Sequence, residues 1–208
     1  MLSTLDITPA AHAIQVEQIQ FKGSPAWLRN GSAWVPDPGP IDYVGHPTPE
    51  LDEAWEKLLR DRYFMITEEE ARAAFPTEWK EAYAKMPGGE EGYLVGLDMF
   101  HTLHCVNQIR QMLWPEYYEP PPATANFEVL HKGHCIDQIR QYIMCSGDLT
   151  PIPTKFYDFL GGFRYVDSNY PHTCRNFGKI REWVDERVKQ NAKGRGEKSG
   201  GKLPEIVF

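Results

Sequence analysis

The chain has 208 residues, of which 41% are hydrophobic and 25% are charged, so it can form one folded domain with a sizeable core. Its formal charge of -7, from 29 acidic and 22 basic residues, disfavours a nucleic-acid-binding protein, which normally has a basic face. No run reaches the roughly 18 apolar residues that span a bilayer. Residues 1–13 lack the charged and apolar regions of a signal peptide. We therefore expect a chain that is soluble as made, unless an upstream anchor leading into the secretory lumen has been removed.

The first half of the chain is predicted to hold an irregular arm followed by short helices. Prolines and tryptophans punctuate residues 1–47, which indicates irregular structure packed on the remainder. Thr48-Pro49-Glu50 has the cap residue, proline and acid of a helix start. An amphipathic stripe follows at Leu51, Trp55, Leu58 and Leu59. Thr67 with Glu70 predicts a capping box that opens a second helix, and Thr77 is predicted to cap a third.

The second half is predicted to centre on two longer helices, over 94–114 and 125–145. Prolines separate the two helices, so we expect a helical hairpin with a stiff connection. A short strand at 163–166 and a last helix over 175–190 follow. The sequence thus predicts a mainly α fold, a helical core with long irregular Pro-rich loops. Its predicted parts are an N-terminal arm (1–47), a single helical domain (48–190) and a flexible tail (191–208).

The two long helices carry an internal repeat. Residues 101–111, HTLHCVNQIRQ, align with residues 131–141, HKGHCIDQIRQ, and 7 of the 11 positions are identical. Because residues i, i+3 and i+4 share one face of a helix, each copy presents two imidazoles and one thiol to the same side. A hairpin of two such helices brings four imidazoles together. They belong to His101, His104, His131 and His134.

A metal site explains these four histidines better than a buried core does. A lone buried histidine is usually a satisfied core residue, but four of the 7 histidines buried together would leave many ring nitrogens to satisfy. Imidazole-rich sites suit copper, zinc, iron and nickel. A closed zinc site is disfavoured, because the two copies offer more histidine and cysteine donors than a tetrahedral site takes. We therefore predict that residues 48–190 form a metal-binding domain.

Polar residues flank both copies of the repeat. Gln108 and Gln138 follow the first histidine of their copy by seven residues, where an amide can hold a ring N–H group. Asp98 and Glu128 precede the copies by three residues. Acid-x-x-His on two helices is also a feature of di-iron bundles. Those bundles need two further carboxylates, and the sequence offers no clear second pair.

The four cysteines allow two interpretations. As thiolates, Cys105 and Cys135 would bind the metal, whereas as half-cystines they would tie the helix pair to the segments that contain Cys145 and Cys174. Cys135 and Cys145 are about 15 Å apart along one helix, so they cannot bond to each other. That excludes one of the three connectivities. Under oxidising conditions we predict bridges to partners outside each cysteine's own helix, with Cys174 as one partner.

Two residues outside the repeat are further pocket candidates. His172 lies at the predicted start of the last helix, and Asp148 follows the end of the second long helix. Both positions also have a purely structural explanation. Thr173 is a candidate N-cap beside His172, and Asp148 is a common turn former.

The doubled HxxHC motif resembles the fungal UstYa-like family of secondary-metabolite tailoring proteins. The likeness extends to YxGxP at 43–47, LDxAW at 51–55, the RQ…C…D run at 140–148 and HTCRNF at 172–177, and it covers about residues 43–185. It implies copper, held by the four histidines of the two motifs, with iron and zinc as alternatives. Members usually carry an N-terminal transmembrane helix, which this sequence does not show.

The resemblance implies oxidative tailoring of a natural product, either a small molecule or a peptide, by cyclisation, hydroxylation, dehydrogenation or halogenation. We therefore expect a copper-dependent oxidase of mycotoxin or other secondary-metabolite biosynthesis, which could form homo- or hetero-oligomers with related proteins. The aromatic loops of residues 20–45 are expected to help form its pocket. Two alternatives use the same histidines: a cyclase without redox chemistry, and a non-catalytic metal-bound module that supports a partner oxidase. Substrate-dependent oxygen consumption separates the oxidase from both.

Overall fold

Helices and short strands are mixed throughout the part of the chain that this computed structural model describes, residues 8–75, 92–118 and 125–196. Within those residues the strands pair two by two into four antiparallel sheets. The mainly α prediction is therefore wrong, and the fold is an α/β mixture. The strands escape prediction because each has only two to five residues, too few for an alternating pattern to develop.

The first half of the structure contains more regular structure than the sequence indicates. Its elements are a 3₁₀ helix (Thr8–Ala13), β1 (Val16–Gln20), β2 (Ala26–Trp27), β3 (Ala33–Trp34), α1 (Pro49–Leu59), β4 (Tyr63–Ile66) and α2 (Glu68–Ala74). Both predicted helix starts are confirmed. The Thr48 hydroxyl accepts from the backbone N–H of Leu51, and Thr67 and Glu70 form the complete capping box. The helix predicted at Thr77 lies outside the described residues.

The second half places strands at the ends of the predicted helices. Its elements are β5 (Tyr93–Gly96), α3 (Asp98–Met112), α4 (Ala125–Ser146), β6 (Thr154–Tyr157), a 3₁₀ helix (Asp158–Leu160), β7 (Phe163–Val166), β8 (Pro171–Arg175) and α5 (Phe177–Gly196). The strand predicted at 163–166 is confirmed. The helix α3 begins four residues later than predicted, because residues 93–96 pair with β4. The helix α5 begins at Phe177, because residues 171–175 pair with β1. Of the predicted tail, residues 191–196 continue α5, and the remainder lies outside the described part.

The main core lies between a sheet and a helix. Strand β4 pairs with β5, and α5 and the first 3₁₀ helix cover this small sheet. The core consists of Ala10, Ala13, Phe64, Ile66, Ala71, Tyr93, Phe100, Trp183 and Val184. A smaller cluster joins Leu51, Trp55 and Leu59 of α1 to Leu103 of α3. The prediction of a helical core formed by the hairpin is thus corrected. The helix pair α3–α4 lies beside the core, and of these two helices it is α3 that contributes a buried residue, Phe100.

The hairpin of α3 and α4 is strongly asymmetric in burial. Helix α3 contacts the core and α1, and five of its residues are buried, among them Thr102, His104 and Cys105. Helix α4 contacts α3 on one face, and large apolar residues such as Ile136 and Ile143 are exposed on others. Every helix within the described ranges falls short of the length and apolarity that a membrane crossing demands.

Replacing Gly133 by alanine is expected to stabilise the protein. Gly133 lies inside α4, and an added Cβ atom would meet nothing within 4 Å. Since glycine is about 1 kcal/mol less favourable than alanine inside a helix, we expect the free energy of unfolding to rise by about 0.5–1 kcal/mol in a urea titration.

The matched control is Gly92→Ala, because Gly92 has a φ of +127° and its added Cβ atom would lie 2.9 Å from the carbonyl oxygen of Ile66. This variant is expected to lose stability. A Gly133→Ala protein that loses as much stability as Gly92→Ala would contradict the open surroundings of Gly133.

Candidate metal centre

Two histidines from different copies of the repeat meet across the hairpin. The Nε2 atoms of His101 on α3 and His134 on α4 are 3.1 Å apart. His101 is half-buried and His134 is exposed, so the pair lies at the edge of the hairpin where solvent reaches it. The helical period explains why the two side chains meet. It places His101 on the face of α3 that contacts α4, and His134 on the face of α4 that contacts α3.

The other two histidines of the repeat extend this pair into a chain of four rings. The ring centroids of His101 and His104 are 6.3 Å apart, and those of His104 and His131 are also 6.3 Å apart. His104 is buried, whereas His131 is half-buried. The four sequence-predicted histidines therefore occupy one region of the hairpin.

The motif cysteines lie on the inner side of the histidines. Cys105 and Cys135 are both 0% exposed. The thiols of Cys105 and Cys135 lie within hydrogen-bonding reach of each other, and the sulfur of Cys105 is 3.9 Å from Nε2 of His101. None of the four cysteines is in a disulfide in this structure. The predicted partner, Cys174, lies half-buried on β8, and Cys145 is exposed at the end of α4.

The geometry of the His101–His134 pair fits a shared metal ion. Two imidazole nitrogens at about 2.0 Å from one ion lie roughly 2.8 Å apart at a right angle and roughly 3.3 Å apart at the tetrahedral angle. The observed 3.1 Å falls between these values. One donor atom each from His101, Cys105 and His134 lie within 4.8 Å of one another. The donor set is therefore suited to a late transition metal.

The electrostatic surroundings favour the neutral imidazoles that a metal requires. Burial, and after it the positive charge of Arg62, lowers the pKa of His104 to about 4. Burial and the neighbouring His134 also lower the pKa of His101, whereas Asp98 opposes this shift. Both imidazoles are therefore uncharged at neutral pH, which is the protonation state that a metal ligand needs.

The depressed pKa of His104 is expected to make the metal-free protein less stable in mild acid. An unfolded chain binds a proton on this imidazole below about pH 6.5, whereas the folded chain does so only below about pH 4. The free energy of unfolding should therefore decrease as the pH falls from about 6.5 to 4.

Urea titrations at several pH values test this expectation against His104→Asn, which cannot titrate in this range and should flatten that part of the profile. The control is His12→Asn, since His12 is exposed. Identical pH profiles for the wild-type protein and His104→Asn would contradict the assignment.

Two of the predicted polar neighbours of the histidines, Gln138 and Asp98, join the two helices. The Gln138 amide donates to the Asp98 carboxylate over 2.8 Å and to the Thr102 hydroxyl over 3.4 Å. The equivalent amide of Gln108 donates to Gln111 over 3.4 Å. The side chain of Glu128 lies outside the described part of the structure. Asp98 thus lies beside the site, where its charge opposes the lowering of the His101 pKa, and its carboxylate accepts from Gln138 of α4.

His172 and Asp148 form a separate pair. His172 is buried on β8, where its ring stacks on Phe21 and Nδ1 donates to the carbonyl oxygen of Tyr170 over 2.8 Å. Its Nε2 atom is 3.9 Å from Asp148. Asp148 accepts from the N–H of Thr150, and hydrogen bonds from the Thr150 side chain and then from its backbone lower the pKa of this carboxyl. Thr173 is part of β8, so it does not cap α5.

Sequence reasoning missed the cavity next to the histidines. A cavity of about 410 Å³ is lined by His104 and Asn107 of α3 and by residues 60–63, which connect α1 to β4. Asp61 has a φ of +46° there, and Arg181 donates to the carbonyl oxygens of residues 60 and 61. The expected pocket residues in the loops of 20–45 do not line this cavity. Instead, Trp27 packs on Tyr157 and Tyr165.

Comparison with known proteins identifies a family. Residues 2–187 match the family described as mycotoxin biosynthesis protein UstYa. The chain is 38% identical over 191 residues to the UstYa family oxidase phomYd of Diaporthe leptostromiformis, which covers 88% of this chain and 62% of that protein. It is 36% identical over 152 residues to the oxidase phomYc of the same fungus, covering 70% of this chain and 59% of that protein.

A third relative carries a different activity name. The transacylase cctO of Talaromyces islandicus is 30% identical over 157 residues, which cover 68% of this chain and 51% of that protein. The chain thus spans about half to three-fifths of the length of these relatives. No solved structure matches it.

Proposed function

The chain belongs to the UstYa family of mycotoxin biosynthesis proteins, and on this premise we propose that it is a copper-dependent oxidase that modifies a fungal natural product. The observation that carries the proposal is the pair of Nε2 atoms of His101 and His134, 3.1 Å apart on two helices. Relatives named as oxidases support the redox class. The substrate is a small molecule or a peptide of a secondary-metabolite pathway.

In this proposal the four histidines of the repeat hold the copper, and the pair His101–His134 provides its first two donors. Bound copper supplies one-electron chemistry with dioxygen, which no protein side chain provides. Asp98 and Gln138 hold α3 and α4 together across the site, so the two imidazoles keep their separation when the metal binds.

The cavity beside His104 is the proposed substrate pocket. It combines the apolar Leu59 and the ring of Tyr63 with the charged side chains of Glu56 and Arg62. This mixture suits a substrate with both an aromatic or aliphatic part and polar groups. Arg181 fixes the pocket wall through the carbonyl oxygens of residues 60 and 61.

The relative named as a transacylase raises acyl transfer as a second reaction. Such a reaction needs an accessible nucleophile, and Cys105 with His101 at 3.9 Å has the composition of a Cys–His pair. However, Cys105 is 0% exposed and burial raises the pKa of its thiol to about 12, so an acyl donor cannot reach a thiolate there. We therefore favour the oxidase.

Copper binding to the purified, metal-free protein tests the first part of the proposal. We expect tight binding of Cu(II), with an electron paramagnetic resonance spectrum that carries nitrogen hyperfine structure from imidazole ligands. Zn(II) added in equal amount should compete poorly, since copper stands above zinc in the general affinity order. A protein that binds no Cu(II), or binds it without nitrogen ligands, would contradict the proposal.

Oxygen consumption tests the second part. The copper-loaded protein is supplied with ascorbate as reductant in an oxygen electrode, and free copper is removed beforehand by gel filtration. We expect oxygen uptake above that of the metal-free protein. Copper bound without oxygen uptake would instead support the cyclase or the non-catalytic module.

A further inference from the structure

Cys105 and Cys135 face each other at the centre of the hairpin. Both are 0% exposed, one on α3 and one on α4, and their thiols lie within hydrogen-bonding reach of each other. Each is the fifth residue of its copy of the repeat. The two thiols therefore occupy equivalent positions on the facing sides of the two helices.

The repeat gives this contact a symmetry that no other pair in the site has. If each residue is replaced by its equivalent in the other copy, the pair His101–His134 becomes the pair His131–His104. The rings of both pairs are close, with centroids 5.3 and 6.3 Å apart. The same exchange turns the pair Cys105–Cys135 into itself. The two cysteines are thus related by the local two-fold axis of the hairpin and lie on either side of it, so their side chains project toward each other, as a disulfide requires.

We propose that Cys105 and Cys135 form a disulfide that links α3 to α4 beneath the histidines. Both thiols lose their hydrogen atoms and together two electrons as the S–S bond forms. The oxidant is a disulfide of the glutathione or disulfide-isomerase class, which is reduced to two thiols. The bond forms before the hairpin closes, since neither sulfur is exposed afterwards. The protein therefore matures in an oxidising compartment.

The link has a consequence for the metal, and this part rests on the proposed function. A disulfide removes both thiolates from the site, so the copper has imidazole donors alone. The sulfur of Cys105 is 3.9 Å from Nε2 of His101, so a disulfide would withdraw it from the His101–Cys105–His134 group and leave the imidazoles as donors.

Peptide mapping of the metal-free protein tests the disulfide without any reference to copper. The protein is expressed through an oxidising compartment, denatured without reductant, alkylated with iodoacetamide and digested with trypsin. Cleavage after lysine and arginine places the four cysteines in four different peptides, 86–110, 133–140, 141–155 and 165–175. We expect peptide 86–110 covalently joined to peptide 133–140. Alkylated Cys105 and Cys135, or a link from either to the peptide of Cys145 or Cys174, would overturn the proposal.

Thermal melting with and without a phosphine reductant gives an independent measurement. A disulfide that closes a loop of about 30 residues should raise the Tm of the wild-type protein by roughly 10 °C, and reduction should remove this gain. The control Cys145→Ala should keep most of the reducible gain, whereas the double variant Cys105→Ala/Cys135→Ala should lose most of it. Equal reducible gains in all three proteins would overturn the proposal.

The copper spectrum separates failure of the disulfide from failure of the proposed oxidase. With the disulfide in place, the copper-loaded protein should show no thiolate-to-copper charge-transfer absorption. Such an absorption would identify Cys105 as a ligand and overturn the disulfide, while it would leave the copper site intact.

Discussion

Replacing His134 by alanine is expected to abolish copper binding and oxygen uptake while the protein stays folded. His134 provides one of the two Nε2 atoms that lie 3.1 Å apart, so its loss leaves His101 without its partner. We expect the dissociation constant for Cu(II) to rise by more than about 100-fold. Loss of a residue that only hydrogen-bonds a metal ligand weakens metal binding by up to about 100-fold, and loss of a ligand itself should weaken it more. Calorimetric titration with Cu(II) measures this effect.

The fold should survive because His134 is exposed and the main core lies elsewhere, between the sheet β4–β5 and α5. The Tm of the metal-free variant should therefore stay within about 2 °C of the wild-type value. His12→Ala serves as the control, since His12 is an exposed histidine of the first 3₁₀ helix. Unchanged copper affinity in His134→Ala would contradict the site, and an unfolded variant would assign the histidine a structural role.

Replacing Arg110 by methionine should cause a large loss of stability, because Arg110 is a buried charged residue. The Arg110 side chain is 7% exposed, and its guanidinium lies 2.7 Å from the Asp52 carboxylate and donates to the Tyr118 hydroxyl over 2.6 Å. The Tyr118 hydroxyl in turn donates to Asp52 over 2.6 Å, so all three groups depend on one another. Removing the cation leaves a partly buried carboxylate without its partner, which costs about 3–5 kcal/mol.

The repeat itself provides a matched control for this prediction. Arg140 occupies the same place in the second copy, but its side chain is 54% exposed and pairs with Asp137 on its own helix. An exposed pair of this kind contributes little, so Arg140→Met should change the free energy of unfolding by less than about 1 kcal/mol. Urea titrations of both variants compare them directly. Equal losses would show that the network around Arg110 is not cooperative.

The contrast between Arg110 and Arg140 also marks the limit of what the repeat predicts. The helical period determines which residues share a face, so the hairpin and the meeting of the histidines could be predicted from spacing alone. The period says nothing about what covers the other faces. Helix α3 packs on α1 and the core, whereas α4 does not, so identical residues in the two copies have different surroundings.

The short strands could not be predicted from the sequence, for a physical reason. Strands such as β5 and β8 are stabilised by partners distant in sequence, and their own residues show no alternation long enough to detect. The sequence near His172 illustrates this. The motif HTCRNF reads as a helix start, but residues 171–175 pair with β1, which displaces the start of α5 to Phe177.

The cavity beside His104 was missed because no motif marks it. Residues 60–63 form a charged stretch with no recognisable spacing, and they reach His104 only through the turn at Asp61 and its bonds from Arg181. Their position in the folded chain, and not their residue type, makes them candidate pocket residues.

The pairing of β1 with β8 has a consequence for how the chain is made. The two strands lie about 150 residues apart in sequence, so their contacts have a very high contact order. At ribosomal speeds, residues 16–20 emerge roughly 8 to 30 s before residues 171–175. During this interval β1, whose Val16 and Ile19 are exposed even in the finished fold, has an open edge toward neighbouring chains. The hairpin of α3 and α4 needs only local contacts and can close first, which makes the N-terminal strand the part of the nascent chain most exposed to aggregation.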